Sequence, residues 1–227
     1  MLTVISLGGS IVAPDGVDED YLRELLALVN RLLSEDDERR FIFVVGGGGP
    51  ARAWQRAYRN LARDFSNDEA DWIGVMATRL NARLIKALMA GWCPDEVVTD
   101  PSRADSFSGR VLVAAGWKPG FSSDYDAVVL AERFNAPVVI NLSNIEQVYT
   151  ADPRTDPAAK PIDAVGWPDF IRMVGDEWTP GKNVPFDPVA SRRAAGLGLK
   201  VLCAAGKNLA NLEKILRGGD FLGTTIG

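Results

Sequence analysis

Histidine is absent from the 227 residues, and cysteine nearly so. Without histidine there is no Ser-His-Asp triad, no imidazole general base and no histidine-ligated metal. The two cysteines, Cys93 and Cys203, cannot form a disulfide framework. We interpret them as small core residues of a cytosolic protein, and we predict no metal-ligating set of protein side chains.

Excess positive charge and long apolar runs are also missing. The net charge of −5 argues against non-specific nucleic-acid binding, which needs a concentrated positive face. No stretch approaches the ~20 apolar residues of a membrane span, and the N-terminus lacks the pattern of a signal peptide. We therefore expect a cytoplasmic protein with no nucleic-acid or membrane partner. An anionic ligand would be held locally, by backbone amides and a few Arg or Lys side chains.

Apolar runs alternate with helical patterns along the chain. Strands are predicted at 2–7, 41–45, 97–98, 111–115, 137–142 and 200–204. Helices are predicted at 18–33, 51–62, 68–90, 126–134, 168–174, 188–197 and 209–217, with a loop at 151–161. This order indicates an α/β fold, a three-layer αβα sandwich with a mainly parallel central sheet. At this length we expect a single domain over 1–227.

Three of the predicted strands end in glycines: Gly8-Gly9, 46–49, and Gly116 with Gly120. Ligands of parallel α/β sheets bind outside the carboxyl ends of the strands, where glycine lets them approach the backbone. Three such loops suggest one extended site for a polyanion. The chain lacks both the P-loop spacing and the dinucleotide-binding glycine fingerprint.

Side chains beside the second and third loops could complete a phosphate site. Arg52, on the first turn after 46–49, can donate two hydrogen bonds to phosphate oxygens, unless it is simply solvated. Ser122 and Ser123 stand at a helix start, where hydroxyls and amides suit a phosphate. Asp124 or Asp126 could orient the donor or a magnesium ion. Helix capping that needs no ligand is the alternative.

Two further segments suggest nucleoside recognition. Asp71, Thr78 and Asn81 share one face of the helix predicted at 68–90, and Asp71 could accept hydrogen bonds from ribose hydroxyls. The alternative is a solvated polar face. After the strand at 137–142, Asn144 could meet a base edge and Tyr149 could stack on it, unless the segment is an ordinary turn.

Taken in order, these segments resemble the archaeal-type UMP kinases of the amino-acid-kinase family. The resemblance covers nearly the whole chain, and the Tyr-Thr-Ala-Asp-Pro run at 149–153 is fairly specific to the wider family. The segment 71–82 points to the UMP kinase branch. The matching segments are 6–10, 44–48 with Ala51-Arg52, 71–82, 119–124, 148–153, 187–188 and 223–226.

The resemblance implies a kinase that transfers the γ-phosphoryl group of ATP, with Mg²⁺, to UMP. An acceptor lobe would span about 1–135 and an ATP lobe about 136–227, and many UMP kinases are homohexamers. The residues implied to bind ATP are Gly8, Gly9, Ser10, Gly48, Arg52, Ser143, Asn144, Tyr149 and Asp152. Those implied to bind UMP are Gly47, Asp71, Thr78, Gly120, Ser122 and Ser123. The implied catalytic residues are Asp124, Arg52 and Lys118.

Two positions depart from the family pattern. Ser6 stands where many members carry a first-strand lysine, and Lys118 and Lys182 are the candidate substitutes. Glu146-Gln147 replaces an acidic-glycine pair. Two alternatives therefore stay open. One is a kinase for another small acceptor, and the other is a non-catalytic nucleotide- or oxyanion-binding protein resembling molybdenum storage proteins.

Overall fold

The computed structural model describes residues 1–175 and 184–227. Its main sheet has the strand order β3-β2-β1-β4-β8-β9-β7, and β5 and β6 form a separate hairpin. The strands are β1 Leu2–Leu7, β2 Arg40–Val45, β3 Val111–Ala114, β4 Val138–Ser143, β5 Val148–Tyr149, β6 Pro161–Ile162, β7 Ala164–Val165, β8 Lys200–Ala205 and β9 Thr224–Ile226.

Helices cover both faces of this sheet, as the alternating sequence pattern predicts. They are α1 Gly9–Val12, α2 Glu19–Glu35, α3 Gly48–Leu61, α4 Asn67–Leu88, α5 Ser123–Arg133, α6 Trp167–Val174, α7 Pro188–Leu197 and α8 Leu209–Leu216, with a 3₁₀ turn at Pro101–Arg103. None of the described helices is both long and apolar enough to cross a membrane.

Side-chain alternation along the strands divides the core into two layers. On one face, Ile5 and Leu7 of β1 pack in a cluster with α1, α2, α4 and α8. On the other, Val4 packs in a cluster with α5, α6 and α7. The predicted three-layer αβα sandwich is therefore confirmed. Ser6 shares the parity of Val4, which directs its side chain to the layer that contains α5.

Parallel pairing brings the loop ends together. Leu7 at the end of β1 is in register with Val45 on β2 and with Leu142 on β4. β3 pairs with β2 and β8 pairs with β4, also in parallel. The glycine loops that follow β1, β2 and β3 therefore leave the same edge of the sheet, as expected of a ligand site in such folds.

The sequence predictions were wrong for several short elements. Pro161, assigned to a loop, pairs opposite Tyr149 in the β5–β6 hairpin. β9 pairs antiparallel with β8 and was not predicted at all. The strand predicted at 97–98 reduces to one bridge, between Val98 and Ala114. Segments of two or three residues are too short to show a periodic pattern, and their pairing depends on distant partners.

Candidate active site

The first two glycine loops pack directly against each other. A Cβ on Gly9 would lie 2.0 Å from the Gly48 nitrogen, and one on Gly46 would lie 2.4 Å from the Gly9 nitrogen. The Gly8 amide donates to the Leu142 carbonyl at 2.9 Å. Contact between the two loops therefore explains why Gly9 and Gly46 are glycines, and the same contact gathers the backbone of both loops at one place.

Ser10 and Arg52 lie on the helices that leave these loops. Ser10 is half-buried on α1, and Arg52 is exposed on the first turns of α3. The Arg52 guanidinium donates to the Pro14 carbonyl at 3.0 Å. The structure thus places a serine and an arginine next to the paired glycine loops, as the sequence suggested.

The polar face of α4 joins the second loop to the third. Asn81 is buried and donates from its amide to the carbonyls of Gly46 at 2.9 Å and Gly47 at 3.2 Å. The Thr78 hydroxyl accepts from the Gly116 amide at 2.8 Å. The solvated-face alternative is therefore wrong for Asn81 and Thr78, since both side chains hold glycine-loop backbone.

Asp71 lies about two turns before Thr78 on the same helix. Its Oδ2 accepts from the Gly120 amide at 3.2 Å. Gly120 is exposed, has a φ of +83°, and has no atom within 4 Å of where a Cβ would be. Asp71 therefore borders the open part of the third loop, where a ligand hydroxyl could reach its other oxygen.

Aromatic side chains line the third loop. The Trp117 and Phe121 rings lie 5.0 Å apart, and the Phe121 and Tyr125 rings 4.7 Å apart. The exposed Lys118 places its Nζ 4.0 Å from the centre of the Trp117 ring. The bulky residues of this loop therefore stack on one another towards α5, with the lysine amine against the outermost ring.

Asp124 is fixed between β1 and α7 at the start of α5. Its Oδ1 accepts from the Ser6 hydroxyl at 2.9 Å, and its Oδ2 accepts from the Asp187 amide at 3.2 Å. Burial raises the pKa of Asp124 to about 6, the hydrogen bond from Ser6 lowers it, and the nearby Asp187 carboxylate raises it. The carboxylate sits beside the carboxyl end of the first strand, with a pKa well above the usual aspartate range.

Asp126 has a different environment from Asp124, although the sequence offered them as equivalent candidates. Its side chain is fully buried, and Oδ2 accepts from the Trp117 amide at 3.1 Å. Oδ1 has no hydrogen-bond partner among the described residues. Burial, followed by the charges of nearby aspartates, raises the pKa of Asp126 to about 7, although the Trp117 amide opposes the shift.

The predicted nucleotide-pocket residues lie at the end of β4 and beyond. The Ser143 carbonyl accepts from the Gly206 amide at 2.8 Å, Asn144 is exposed, and Tyr149 is half-buried in β5. The exposed Asp152 binds Arg154 at 2.8 Å, which lowers its pKa. Within the ranges 1–175 and 184–227, no hydrogen bond ties Asn144, Tyr149 or Asp152 to the glycine loops.

One sequence departure has a structural explanation. Gln147 is buried, and its amide donates to Asp163 at 2.9 Å and to the Gly223 carbonyl at 3.1 Å. The residue after it, Val148, donates its amide to the hydroxyl of Thr224 at 2.8 Å. A side chain at position 147 thus joins the β5–β6 hairpin to the segment before β9. The other departure is Ser6, whose hydroxyl donates to Asp124 at 2.9 Å. Of its two candidate substitutes, Lys182 lies outside the described residues.

The sequence profile described as "Amino acid kinase family" matches residues 1–204. The chain belongs to the amino acid kinase family. This amino acid kinase is 37% identical over 228 residues to a uridylate kinase of Methanospirillum hungatei, a match that covers 98% of the chain and 93% of that relative. It is 34% identical to a uridylate kinase of Methanocorpusculum labreanum, with 99% and 94% covered.

Solved structures give the same family resemblance. The uridylate kinase of Archaeoglobus fulgidus superposes with a TM-score of 0.85 at 31% identity, over 100% of both chains. A UMP kinase of Bacillus anthracis superposes with a TM-score of 0.77 over 100% of this chain and 95% of its own. At 19% identity that second likeness shows the fold alone.

Three residues of this amino acid kinase form part of the site although sequence reasoning gave them no role in it. Ser6 and Asp187 hold Asp124, and Arg79 donates to the Trp117 carbonyl at 3.0 Å. Three signals could have pointed to them: all three lie in segments that match the family pattern, Ser6 interrupts an apolar strand, and Asp187 precedes a proline at a helix start.

Proposed function

We propose that this member of the amino acid kinase family transfers the γ-phosphoryl group of ATP to UMP, giving UDP and ADP. The polar face of α4 carries the proposal, because Asn81 holds one glycine loop while Thr78 and Asp71 hold another. An acceptor nucleotide at this face would lie between the loops that bind the two sets of phosphates. Relatives that match along nearly the whole chain and are named uridylate kinases support the same acceptor.

Within one domain, the ATP lobe would span about 136–227 and the acceptor lobe about 1–135. The ATP phosphates would lie on the paired loops of Gly8, Gly9, Ser10 and Gly48, with Arg52 beside them. The nucleoside of ATP would contact Ser143, Asn144, Tyr149 and Asp152, beyond β4. Backbone amides supply most of the donors on the phosphate side, which suits a chain with a net charge of −5.

UMP would occupy the opposite side of the glycine loops. Asp71 would accept from its ribose hydroxyls, next to Gly47 and Thr78. Gly120, Ser122 and Ser123 would surround its phosphate at the start of α5, where the helix dipole favours an anion. The Ser122 hydroxyl already accepts from the Tyr125 amide at 3.2 Å as the helix cap, so its hydrogen remains available to a phosphate oxygen.

Catalysis needs little proton transfer, because the acceptor phosphate is already an anion. The rate would come from in-line placement of two phosphates and from cancelling the charge on the transferred group. Arg52 and Lys118 are the proposed cations. Lys118 lies against the Trp117 ring and would have to leave it to reach a phosphate. Asp124 would orient the reacting groups at the end of β1.

Magnesium fits this site only as a partner of the nucleotide. The described residues contain no group of three or more acidic, histidine or cysteine side chains that could hold a metal ion. Magnesium bound to phosphates usually needs only one or two carboxylates and keeps several waters. Each oxygen of Asp124 accepts a single hydrogen bond, so Asp124 would be its carboxylate. The ion would add positive charge at the transferred group.

We further propose that the enzyme is a cytoplasmic homo-oligomer, with a hexamer as the form to test. Both cysteines are buried free thiols, which suits a reducing compartment. Helices α3 and α4 and the loop between them carry seven of the twelve large apolar side chains that are exposed among the described residues, and we call these seven the α3–α4 face. Its members are Trp54, Leu61, Phe65, Trp72, Met76, Leu80 and Leu88.

The test of the function is ADP release from ATP and magnesium in the presence of UMP, CMP, dUMP, AMP, GMP, acetylglutamate or carbamate. Selective turnover of UMP is expected. Turnover of a different acceptor would support the phosphoryl transfer but show that UMP is not the substrate. ATP binding without transfer to any acceptor would favour the storage-protein alternative.

A further inference from the structure

The last segment of the family pattern, 223–226, carries no proposed role, yet it begins at the ligand edge of the sheet. Because β9 runs antiparallel to β8, with Thr224 opposite Cys203, the chain enters β9 at the carboxyl end of β8. β8 in turn pairs in parallel with β4, and the two strands end in register. The residues that lead into β9 therefore lie at the same edge as the loop 144–147, which follows β4.

Gln147 ties this loop to the segment before β9. Its side chain is buried, and its amide nitrogen donates to the Asp163 carboxylate at 2.9 Å and to the Gly223 carbonyl at 3.1 Å. A Cβ on Gly223 would lie 2.5 Å from the Cys203 carbonyl oxygen, so the backbone there packs directly against β8. Gln147 is thus anchored on the main sheet itself. A glycine at 147, as in the acidic-glycine pair of the family pattern, could donate neither hydrogen bond.

Thr224 ties both strands of the β5–β6 hairpin to β9. Its side chain is fully buried, and its hydroxyl accepts from the Val148 amide on β5 at 2.8 Å and donates to the Ile162 carbonyl on β6. Two residues earlier, the side-chain amide of Asn211 on α8 holds both backbone groups of Leu222, at 2.7 and 2.8 Å. Hydrogen bonds from α8, from the loop after β4 and from the hairpin therefore converge on the three residues 222–224.

The hairpin carries Tyr149 on its other face. Val148 is buried in the core layer that contains α5, α6 and α7, so alternation along β5 directs Tyr149 the opposite way, where it is half-buried. A two-stranded hairpin is at best marginally stable on its own, and each strand here has only two residues. The position of the Tyr149 ring therefore depends on what holds the hairpin, and Gln147 and Thr224 supply buried hydrogen bonds that do so.

We propose that Gln147 and Thr224 are positioning residues for the phosphoryl donor, which hold the β5–β6 hairpin so that the Tyr149 ring is preorganised for the nucleoside of ATP. Fixing a binding group before the ligand arrives removes an ordering cost that would otherwise weaken binding. This role rests on the proposed function in one respect, because Tyr149 must contact the nucleoside of ATP. The identity of the acceptor does not enter. The two residues should therefore strengthen binding of the nucleoside and leave binding of the phosphates unchanged.

The test measures the binding of ATP and of inorganic tripolyphosphate, each with Mg²⁺ and without an acceptor, by calorimetric titration. Tripolyphosphate has the phosphates of ATP without the nucleoside, so the ratio of its Kd to the Kd of ATP reports the nucleoside contacts alone. Gln147→Met keeps the length of the side chain without its donors, and Thr224→Val keeps the shape without the hydroxyl. Thr224→Ser retains the hydroxyl. Thr225→Val, on the other face of β9, is the matched control.

We expect Gln147→Met and Thr224→Val each to lower this ratio about ten-fold, because ATP binds more weakly while tripolyphosphate binds as in the wild type. Thr224→Ser and Thr225→Val should keep the wild-type ratio. Equal weakening of both ligands would mean a general loss of structure, and an unchanged ratio would mean that other contacts place the hairpin. Either result would overturn the proposal.

A double-mutant cycle with Tyr149→Leu tests whether Gln147 acts through that ring. If it does, Gln147→Met should weaken ATP binding little further once the ring is gone, whereas fully additive losses would overturn the proposal. If the Gln147 and Thr224 variants fail to fold, Tyr149→Leu decides alone, since a wild-type ratio in that variant would overturn the role of the hairpin. A protein that binds ATP but never phosphorylates UMP would refute the proposed function, and the binding ratio would still decide the role of Gln147 and Thr224.

Discussion

At the scale of single residues, Asp71 offers the most direct test of acceptor recognition. One of its oxygens accepts from Gly120, and the other accepts no hydrogen bond from a described residue. We expect Asp71→Asn to raise KM for UMP by about 10- to 100-fold, the range for loss of a hydrogen bond to a charged group. KM for ATP should change little, because Asp71 lies on the acceptor side. Steady-state kinetics with each substrate varied in turn measures both constants.

Asp68→Asn is the matched control, since Asp68 is an exposed acidic residue one turn earlier on α4. It should leave both constants close to wild type. If Asp71→Asn raised the two KM values equally, Asp71 would be a general stabiliser of the site, and the ribose assignment would be wrong.

The environment of Asp124 leads us to expect a particular pH dependence of the activity. Its pKa of about 6 is an upward shift, so the carboxylate is lost as the pH falls through that value. Activity that needs the ionised form should therefore fall on the acidic side of about pH 6. Ser6→Ala removes a hydrogen bond that favours the ionised form, so the acidic limb should move to higher pH, by about one unit.

The profile of kcat/KM against pH, measured for both proteins with ATP saturating, gives this shift. Thr3→Val alters a largely buried hydroxyl three residues earlier on β1 and should leave the limb in place. If the acidic limb of the kcat/KM profile lay at the same pH in Ser6→Ala as in the wild type, Asp124 would not be the group whose ionisation limits the rate.

At the scale of elements, contact between the first two glycine loops builds the phosphate side. Gly9→Ala would put a Cβ 2.0 Å from the Gly48 nitrogen, a contact that only backbone movement can relieve. We expect this variant to lose about 1–3 kcal/mol of unfolding free energy and to bind ATP more weakly. Gly91→Ala is the control, because nothing lies within 4 Å of the added Cβ.

Urea unfolding measures the first effect and calorimetric titration with ATP the second. Equal unfolding free energies for the two variants would show that the loops can separate at little cost. The phosphate side would then be a flexible loop and not a fixed cradle for the phosphates.

Which elements could be predicted from the sequence depends on where their determinants lie. β1, β2 and β4 could be predicted from their continuous apolar runs, and α2 from the helical spacing of its apolar residues. A strand buried on both faces and a helix buried along one stripe each leave such a pattern in the local sequence. β9 has three residues and pairs antiparallel with β8, information that no local pattern contains. The fold class was predictable because it depends on the long elements.

The same reasoning separates the parts of the candidate site. The polar spacing of Asp71, Thr78 and Asn81 was visible in the sequence, but their partners were not, because each bonds to backbone at least 34 residues away. The difference between Asp124 and Asp126 was equally hidden, since two residues apart on a helix they enter different surroundings. The sequence was enough to select the candidate residues, but the role of each one depends on packing with distant parts of the chain.

At the scale of the whole molecule, the α3–α4 face holds most of the large apolar side chains that the described residues expose. Leu61 is 82% exposed, and Trp54 and Leu80 are each 70% exposed. Large contiguous apolar patches on soluble proteins mark interaction surfaces. Its edge also carries opposite charges, with the Arg59 guanidinium 5.6 Å from the centre of the Phe65 ring and acidic residues in the first turn of α4. A second copy related by a two-fold axis could pair the basic part of each face with the acidic part of the other.

We therefore expect the protein to be an oligomer in solution and the double variant Met76→Glu/Leu80→Glu to have a lower mass. Two glutamates on adjacent turns of α4 would put unpaired charges into a contact that excludes water, which costs more than the surface packing contributes. Sedimentation velocity over a range of protein concentrations measures the mass. Leu197→Glu, at an exposed leucine on α7, should leave the mass unchanged. A wild type that stays monomeric, or a double variant with wild-type mass, would exclude this face as the interface. Because one two-fold contact gives only a dimer, a wild-type mass of six chains would further require a second interface elsewhere on the molecule.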